Sequence, residues 1–305
     1  MKKVVLSVVA ALAFSAAPAL AADMPVKAAP APAAAPSPWD IAFGSALMND
    51  YMFRGITQSD HKPSVAAYFE PRYNINPNLQ LYAGVAGESI VFPNNAAAEI
   101  DLYAGVRPTF GPVAFDVGFW YYYYPGGNSQ YIWQTIPTVI NTFADASFYE
   151  VYGHVTWTVN DYIALGANVY YTPSWLNTGA SGTYYSGTVK LTAPSTMLPS
   201  GIGAYASGEL GRQELGTTNA DLFVYGGVPV DLPSYTTWNA GIGFTWKVFT
   251  LDLRYTDTDL SKENCFVLTG DPHAGLDGSG FGTSNWCGST FIAKLSADLT
   301  LGSLK

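Results

Sequence analysis

Residues 249–257 read FTLDLRYTD. Phe249, Leu251, Leu253 and Tyr255 fall on one side of an extended chain, and Thr250, Asp252, Arg254 and Thr256 on the other. Successive side chains of a strand point to opposite faces, so strict apolar–polar alternation describes a strand with one greasy and one wet face. The period recurs in TFIAKLSADL (290–299), where Phe291, Ala293, Leu295, Ala297 and Leu299 oppose Lys294, Ser296 and Asp298. It recurs again in AEIDLYAGVR (98–107), where Ile100, Leu102, Ala104 and Val106 oppose Glu99, Asp101, Tyr103 and Arg107.

The pattern extends over twelve segments: roughly 39–55, 64–74, 79–89, 98–109, 113–124, 147–159, 162–172, 183–193, 202–212, 236–246, 249–258 and 289–299. Their connections alternate in length. Those at 75–78, 110–112, 160–161 and 247–248 are short, and 194–201 is slightly longer. Those at 125–146, 173–182, 213–235 and 259–288 are long and polar, with intermediate ones at 56–63 and 90–97. Short turns at one end, long loops at the other and an even strand number are the pattern of an outer-membrane barrel. The expected fold is therefore all-β: a transmembrane antiparallel up-and-down β-barrel of twelve strands, with both chain ends at the periplasmic, short-turn side. A soluble sandwich is the alternative. Its strands average about 5–6 residues, whereas these have the length a tilted membrane strand needs. Trp39, Trp157, Trp238, Trp246, Phe249 and the run FWYYYY (119–124) suit interfacial aromatic girdles.

Composition agrees. Charged residues make up 12% of the chain, about half the usual share. Aromatics reach 15%, with 21 Tyr and 8 Trp. No stretch approaches the length of a membrane-spanning apolar helix. Residues 1–21 read as a secretory signal peptide: Lys2 and Lys3, then an apolar core, then Ala19-Leu20-Ala21. Residues 22–38, rich in Ala and Pro, read as an extended periplasmic linker. Residues 39–305 then form one barrel domain. The net charge of −9 becomes −11 once Lys2 and Lys3 are removed, which excludes nucleic acid as a partner because phosphate binding needs a basic face. The expected partners are outer-membrane lipid, small hydrophilic solutes and, during biogenesis, the barrel-assembly machinery. The chain is expected to be a monomer, because a closed barrel has no free edge.

The charges keep phase with the wet face. In NDYMFRGITQSD (49–60) the first strand places Ile41, Phe43, Leu47, Tyr51 and Phe53 toward lipid, and Arg54 falls out of phase with them. An arginine facing lipid at mid-bilayer costs about 2–4 kcal/mol, so Arg54 is expected to point inward and to pair with Glu70. The predicted lumen charges are Arg54, Glu70, Arg72, Glu99, Asp101, Arg107, Asp116, Glu150, Asp252, Arg254 and Lys294. The same phase turns Tyr68, Tyr82, Tyr103, Trp120, Tyr122, Tyr152, Tyr170, Tyr184 and Tyr205 inward. These rings read equally as a rail for flat polar solutes or as filler that narrows the bore. A ring of eight strands just fits side chains and sixteen leave a channel; twelve falls between.

The opening stretch, continued as NDYMFRGITQSDHKPSVAAYFE, resembles the N-terminal signature of the TorF family of proteobacterial porins. The matching positions are Tyr51, Phe53, Arg54, Gly55, Gln58, Ser59, Asp60, Lys62 and Pro63. The resemblance implies an outer-membrane porin and brings no substrate or catalytic residue.

Cys265 and Cys287 lie in the last long loop, and an oxidising periplasm favours a disulfide between them. Closing a loop of that size is worth about 3 kcal/mol by chain entropy. In the same loop, Asp271 and Asp277 lie in TGDPHAGLDGSGFG, whose spacing matches no EF-hand, and a solvated loop without metal is expected. Of the three histidines, His61, His154 and His273, only His154 faces the lumen, where it reads as structural. There is no G-x-S-x-G, H-E-x-x-H or P-loop motif, so no cofactor and no enzymatic activity are expected. The function expected is passive diffusion of small hydrophilic solutes or ions through a narrow, mixed-charge lumen with a slight cation bias. The alternative is a non-conducting surface barrel whose loops bind a partner or support the envelope.

Overall fold

The computed structural model describes residues 38–127, 145–219, 229–278 and 280–304. Twelve long strands close into one barrel. We label them β1 (Trp39–Met48), β2 (Ser64–Asn76), β3 (Leu79–Glu88), β4 (Glu99–Phe110), β5 (Val113–Tyr123), β6 (Phe148–Asn160), β7 (Ile163–Thr172), β8 (Gly182–Thr192), β9 (Ile202–Leu215), β10 (Tyr235–Trp246), β11 (Phe249–Thr258) and β12 (Thr290–Thr300). Each pairs antiparallel with its neighbours in sequence, and β1 closes the ring on β12, with Phe43 opposite Leu299 and Leu47 opposite Leu295. The twelve-stranded up-and-down barrel expected from the alternation is the observed fold, and strand ends shift by a few residues at most except in β1.

The outer face carries the apolar half of every alternation. Val117 in the middle of β5 is 51% exposed and Leu210 on β9 is 61% exposed. Val65, Phe69, Leu102, Val151, Ile242 and Leu295 face the same way. Such a continuous belt is far larger than the apolar patches of a water-soluble monomer, and it is what a lipid-facing wall needs. Trp39, Trp157, Trp246 and Phe249 are exposed near the short-turn end, and Trp238 near the loop end. The run at 119–124 divides: Phe119 and Tyr123 face outward, while Trp120, Tyr122 and Tyr124 are buried inside. Only its alternate residues join a girdle.

The short turns close by local chemistry. The Asn76 side-chain oxygen accepts from the Asn78 amide at 2.8 Å, and that of Asn160 accepts from the Tyr162 and Ile163 amides at 2.9 and 3.0 Å. These are Asx turns, in which the side chain stands in for a backbone acceptor.

β1 is the exception. It ends at Met48, not near 55, and the chain leaves the wall there. Residues Met52–Phe53 and Ile56–Thr57 form a two-residue-per-strand hairpin folded into the bore. Arg54 and Gly55 form its tip at φ 49° and 82°. Positive φ at both central residues is the signature of a type I′ hairpin turn, and glycine at the second position suits it. A side chain at Gly55 would also collide with Thr237 on β10 and Thr258 on β11. Tyr51 and Phe53 therefore do not face lipid: Tyr51 is buried, and Phe53 packs on the interior aromatic cluster.

At the loop end, α1 (Lys262–Thr269) is capped by the Ser261 side chain at its start and by left-handed Gly270 at its end. Cys265 of α1 is joined to Cys287, 22 residues on, with Cα atoms 5.8 Å apart. The disulfide expected from the oxidising compartment is thus formed. Both cysteines are buried, packed with Ile56 of the hairpin, Tyr235 and Trp286. The bond therefore ties the last loop down over the hairpin, and does more than protect an exposed loop.

Val117 supplies a test of the lipid-facing assignment. Val117→Arg is expected to destabilise the barrel by about 2–4 kcal/mol in denaturant unfolding from lipid vesicles, while Val117→Leu stays near wild type.

Candidate functional site

The interior of the barrel is the candidate site, and it is filled. Six of the inward tyrosines, Tyr68, Tyr82, Tyr103, Tyr152, Tyr184 and Tyr205, lie over an inward glycine on a neighbouring strand. Tyr103 lies opposite Gly84 and Tyr82 opposite Gly105. In each pair the ring lies over the glycine, where any β-carbon would collide with it. Rings laid flat against the wall can then pack on one another. Trp120 stacks on Tyr103 at 4.2 Å and Phe148 on Tyr122 at 4.6 Å. One continuous cluster joins Tyr82, Tyr103, Trp120, Tyr122, Tyr152, Tyr170 and Tyr184, with Tyr68 against it. Tyr205 lies over Gly243 and donates to Asp252 at 2.6 Å. These rings are arranged as packing rather than as an open rail.

Arg54 sits in the middle of this cluster. Its two terminal nitrogens donate to the two carboxylate oxygens of Glu150 on β6, at 2.9 and 2.7 Å. Nη1 also donates to Gln213 on β9 at 2.9 Å. The guanidinium lies over the rings of Phe53, Tyr170, Trp175 and Tyr184, 4.4–5.6 Å from their centroids. Glu150 is fully buried, and Tyr122 donates to it at 3.1 Å. Arg54 therefore bridges from a hairpin rooted on β1 to strands across the bore. It does not pair with Glu70, as expected from sequence. The hairpin leaves β1 on the loop side, whereas Glu70 lies in the short-turn half of β2.

The other predicted charges separate into three groups. In the short-turn half, Arg107 donates to Glu70 at 2.8 Å and to Asp116 at 2.9 Å, and Arg72 donates to Glu70 at 2.5 Å. On the far wall, Arg254 donates to Asp252 at 3.0 Å, to Asn239 at 2.6 Å and to Ser207 at 2.9 Å. Lys294 lies opposite Asp252 in the register of β11 and β12. In the loop half, Glu99 and Asp101 lie two residues apart on β4, with Glu88 of β3 directly across from Glu99. His154 is wedged between Tyr152 and Tyr170, with both ring nitrogens lacking a hydrogen-bond partner, a structural placement.

Cavities remain on either side of the hairpin. One, of about 250 Å³, lies at the loop end beneath α1 and is lined mainly by apolar side chains such as Phe53, Phe92, Trp175, Leu232, Phe266 and Trp286. The other, of about 240 Å³, lies below the hairpin and is lined by polar residues such as Asn168, Lys190, Glu209, Asp252, Arg254 and Lys294. Arg54 and Tyr170 line the top of the second.

Residues 32–274 match the family described as Gcw_chp, a bacterial protein of unknown function. The chain belongs to the Gcw_chp family. No curated protein matches its sequence. Among solved structures, this Gcw_chp chain is similar to a Pseudomonas aeruginosa FadL homologue at 10% identity, covering 85% of this chain and 89% of that one, with a TM-score of 0.43. It is similar to the NanC porin at 9% identity, covering 86% and 100%, with a TM-score of 0.42. It is also similar to LpxR from Salmonella typhimurium at 10% identity, covering 85% and 99%, with a TM-score of 0.40. The barrel itself is established by its own closed hydrogen-bonded ladder.

Several residues of the Gcw_chp interior were not predicted: Tyr51, Phe53, Gln213, Trp175 and Tyr124. The available signal was Arg54-Gly55 between two short apolar pairs, a hairpin turn hidden in what reads as one strand. Asp271 is also not joined to Asp277. It lies with Asp60 and His273 and accepts from Ser284 at 2.7 Å, while Asp277 bonds its own turn at Phe281.

Removing one partner of a buried pair leaves an uncompensated charge, which costs about 3–5 kcal/mol. Arg54→Met and Glu150→Gln should each show a loss of that size in unfolding experiments. The double variant should lose clearly less than the sum. Outside the wall, His61 Nδ1 lies 2.7 Å from Asp50 and Nε2 3.2 Å from the Asn285 carbonyl. The hydrogen bond to Asp50 holds the imidazole above its ordinary value of 6.5. Because the folded-state value is raised, the stabilisation is complete below the unfolded-state value. It is lost as pH rises through the folded-state value. Amide exchange in residues 58–63 should accelerate as pH rises above about 6.5, beyond the intrinsic base-catalysed increase, and His61→Gln should abolish that excess.

Proposed function

We propose that the protein is an outer-membrane barrel that is closed in its folded ground state by the hairpin at residues 49–58, with short turns and both chain ends toward the periplasm. The observation that carries this reading is the Arg54–Glu150 bridge: a bidentate ion pair, 2.7 and 2.9 Å, spanning the bore under four aromatic rings. A buried pair of this kind opens only if a charge is left unpaired in a dry site, which costs several kcal/mol. The lumen charges thus serve first as mutual partners and not as a field for passing ions. The exposed apolar belt, the girdles and the leader-like residues 1–21 support the outer-membrane location.

The loop-end apolar cavity then becomes the surface offered outward. Its volume of about 250 Å³ is close to the lower range of small-ligand sites. A chain of this kind would act as a surface barrel with a recognition mouth, and it would reach the membrane as a monomer through the barrel-assembly machinery.

A second reading is favoured by the polar cavity below the hairpin. With the hairpin withdrawn, that space would join the mouth, and small hydrophilic solutes or ions would pass, as the TorF-porin resemblance implies. The acidic excess would then bias passage toward cations.

Planar-bilayer conductance under a salt gradient separates the two. The refolded wild type, its folded state confirmed by heat-shifted gel mobility, is expected to be silent. Deletion of residues 51–57 is expected to produce discrete steps. Steady cation-biased steps from the wild type would overturn the closed-barrel reading in favour of an open pore.

A further inference from the structure

The register of β3 and β4 puts Glu88 directly opposite Glu99, and Asp101 follows on the same inner face. One oxygen from each carboxylate lies within 4.8 Å of the others. Glu88 is 3% exposed and Asp101 1% exposed. Tyr51 donates to one Glu99 oxygen at 2.5 Å and Tyr124 to the other at 2.8 Å. Both oxygens of Glu88 and Oδ1 of Asp101 are buried without any partner. Among the described residues, no lysine, arginine or histidine makes an ion pair with the three.

This arrangement is costly as it stands. Three carboxylates share a site that excludes water, where like charges repel strongly. Three acceptor atoms also lack donors, and buried polar atoms are ordinarily paired. Adding protons could lower the charge. The convergence of oxygens from both strands of the pair, however, is a geometry that suits one central ion. Hard cations take oxygen ligands only, at about 2.3–2.6 Å for calcium, and complete their shell with water. A small cavity of about 20 Å³ adjoins Glu88, bounded also by Tyr68, Ser296 and Asp298. That is room for about one water.

We infer that Glu88, Glu99 and Asp101 bind a hard divalent cation of the calcium class inside the barrel. The free oxygens of Glu88 and Asp101 are direct ligands. Glu99 completes the set while holding Tyr51 and Tyr124. Tyr51 lies at the root of the hairpin that fills the bore, so the ion also anchors that hairpin to the wall. The inference stands whether or not the barrel conducts.

The Asp60–Asp271–His273 group, in which only His273 is exposed, is a different case. Asp60 is held by Lys62 at 2.7 Å and by Trp286 Nε1 at 2.9 Å, and Asp271 by Ser284. It serves as the internal control.

The test uses the refolded full-length chain in detergent, stripped with EDTA and titrated calorimetrically with Ca²⁺, Mg²⁺ and Mn²⁺ separately. One equivalent of Ca²⁺ should bind, with binding retained in Asp271→Asn and weakened at least tenfold in both Glu88→Gln and Asp101→Asn. Heat-shifted mobility checks that each variant is folded. Should neither variant fold, terbium luminescence in the Asp271→Asn background replaces them. A tyrosine- or tryptophan-shaped excitation spectrum, competed away by Ca²⁺, supports the site. Absence of any divalent binding by the folded wild type overturns it. So does Ca²⁺ binding that Asp271→Asn removes and the other two variants leave intact. Metal-independent stabilisation by Glu88→Gln, without bound Ca²⁺, would show a protonated carboxyl cluster and would equally overturn it.

Discussion

A backbone amide that faces lipid has no water to bond with, so every N–H and C=O in the wall must find a partner inside the protein. A sheet meets that demand only by closing on itself. Here β1 closes on both β2 and β12, and the ladder is continuous around twelve strands. Everything else in the structure follows from that closure. It fixes which residues face outward, it removes sheet edges, and it creates an interior that must be either wet or packed.

This interior is packed, and the register explains how. A tyrosine laid over a cross-strand glycine covers the wall and holds its hydroxyl against it. There it meets a carboxylate, as in Tyr68 to Asp298 at 3.0 Å or Tyr184 to Glu209 at 2.8 Å. The carboxylates in turn hold arginines. Apolar packing and charge pairing thus share the same space, and each depends on the other. The rings exclude water and so strengthen the pairs; the pairs neutralise charges that the rings could not tolerate alone. The carboxylates Glu88, Glu99 and Asp101 break this rule: Glu99 has tyrosine donors, both Glu88 oxygens have none, and among the described residues no cation of the chain pairs with the three.

The loop end is built around the same closure. The hairpin at 52–57 is short and would not persist alone in water. It is held from below by Arg54 and from above by the last loop, where the Thr57 amide donates to the Trp286 carbonyl at 2.9 Å. The buried Cys265–Cys287 bond fixes that loop. Sequence positions near 54, 150 and 286 are thereby joined into one plug. An opening of the bore would have to release all of these contacts together.

The alternation of apolar and polar residues determined the strands, their inward and outward faces, the barrel and its short-turn end. Period two acts locally, and a membrane wall allows no other use of it. The inward direction of Glu70, Arg107, Glu150 and the nine aromatics was legible for the same reason. Their partners were not. Which charge meets which across a bore depends on register and on loop path, and neither is written in the period of a single strand. The clearest case is Arg54. Read as the end of β1, its stretch continues the alternation and pairs it with a neighbour on β2. In the folded chain two positive φ angles turn it back through the bore to Glu150. The energy that decides this comes from burying the hairpin against strands such as β6, β7, β8 and β9, a cost and a gain that exist only once the barrel has closed.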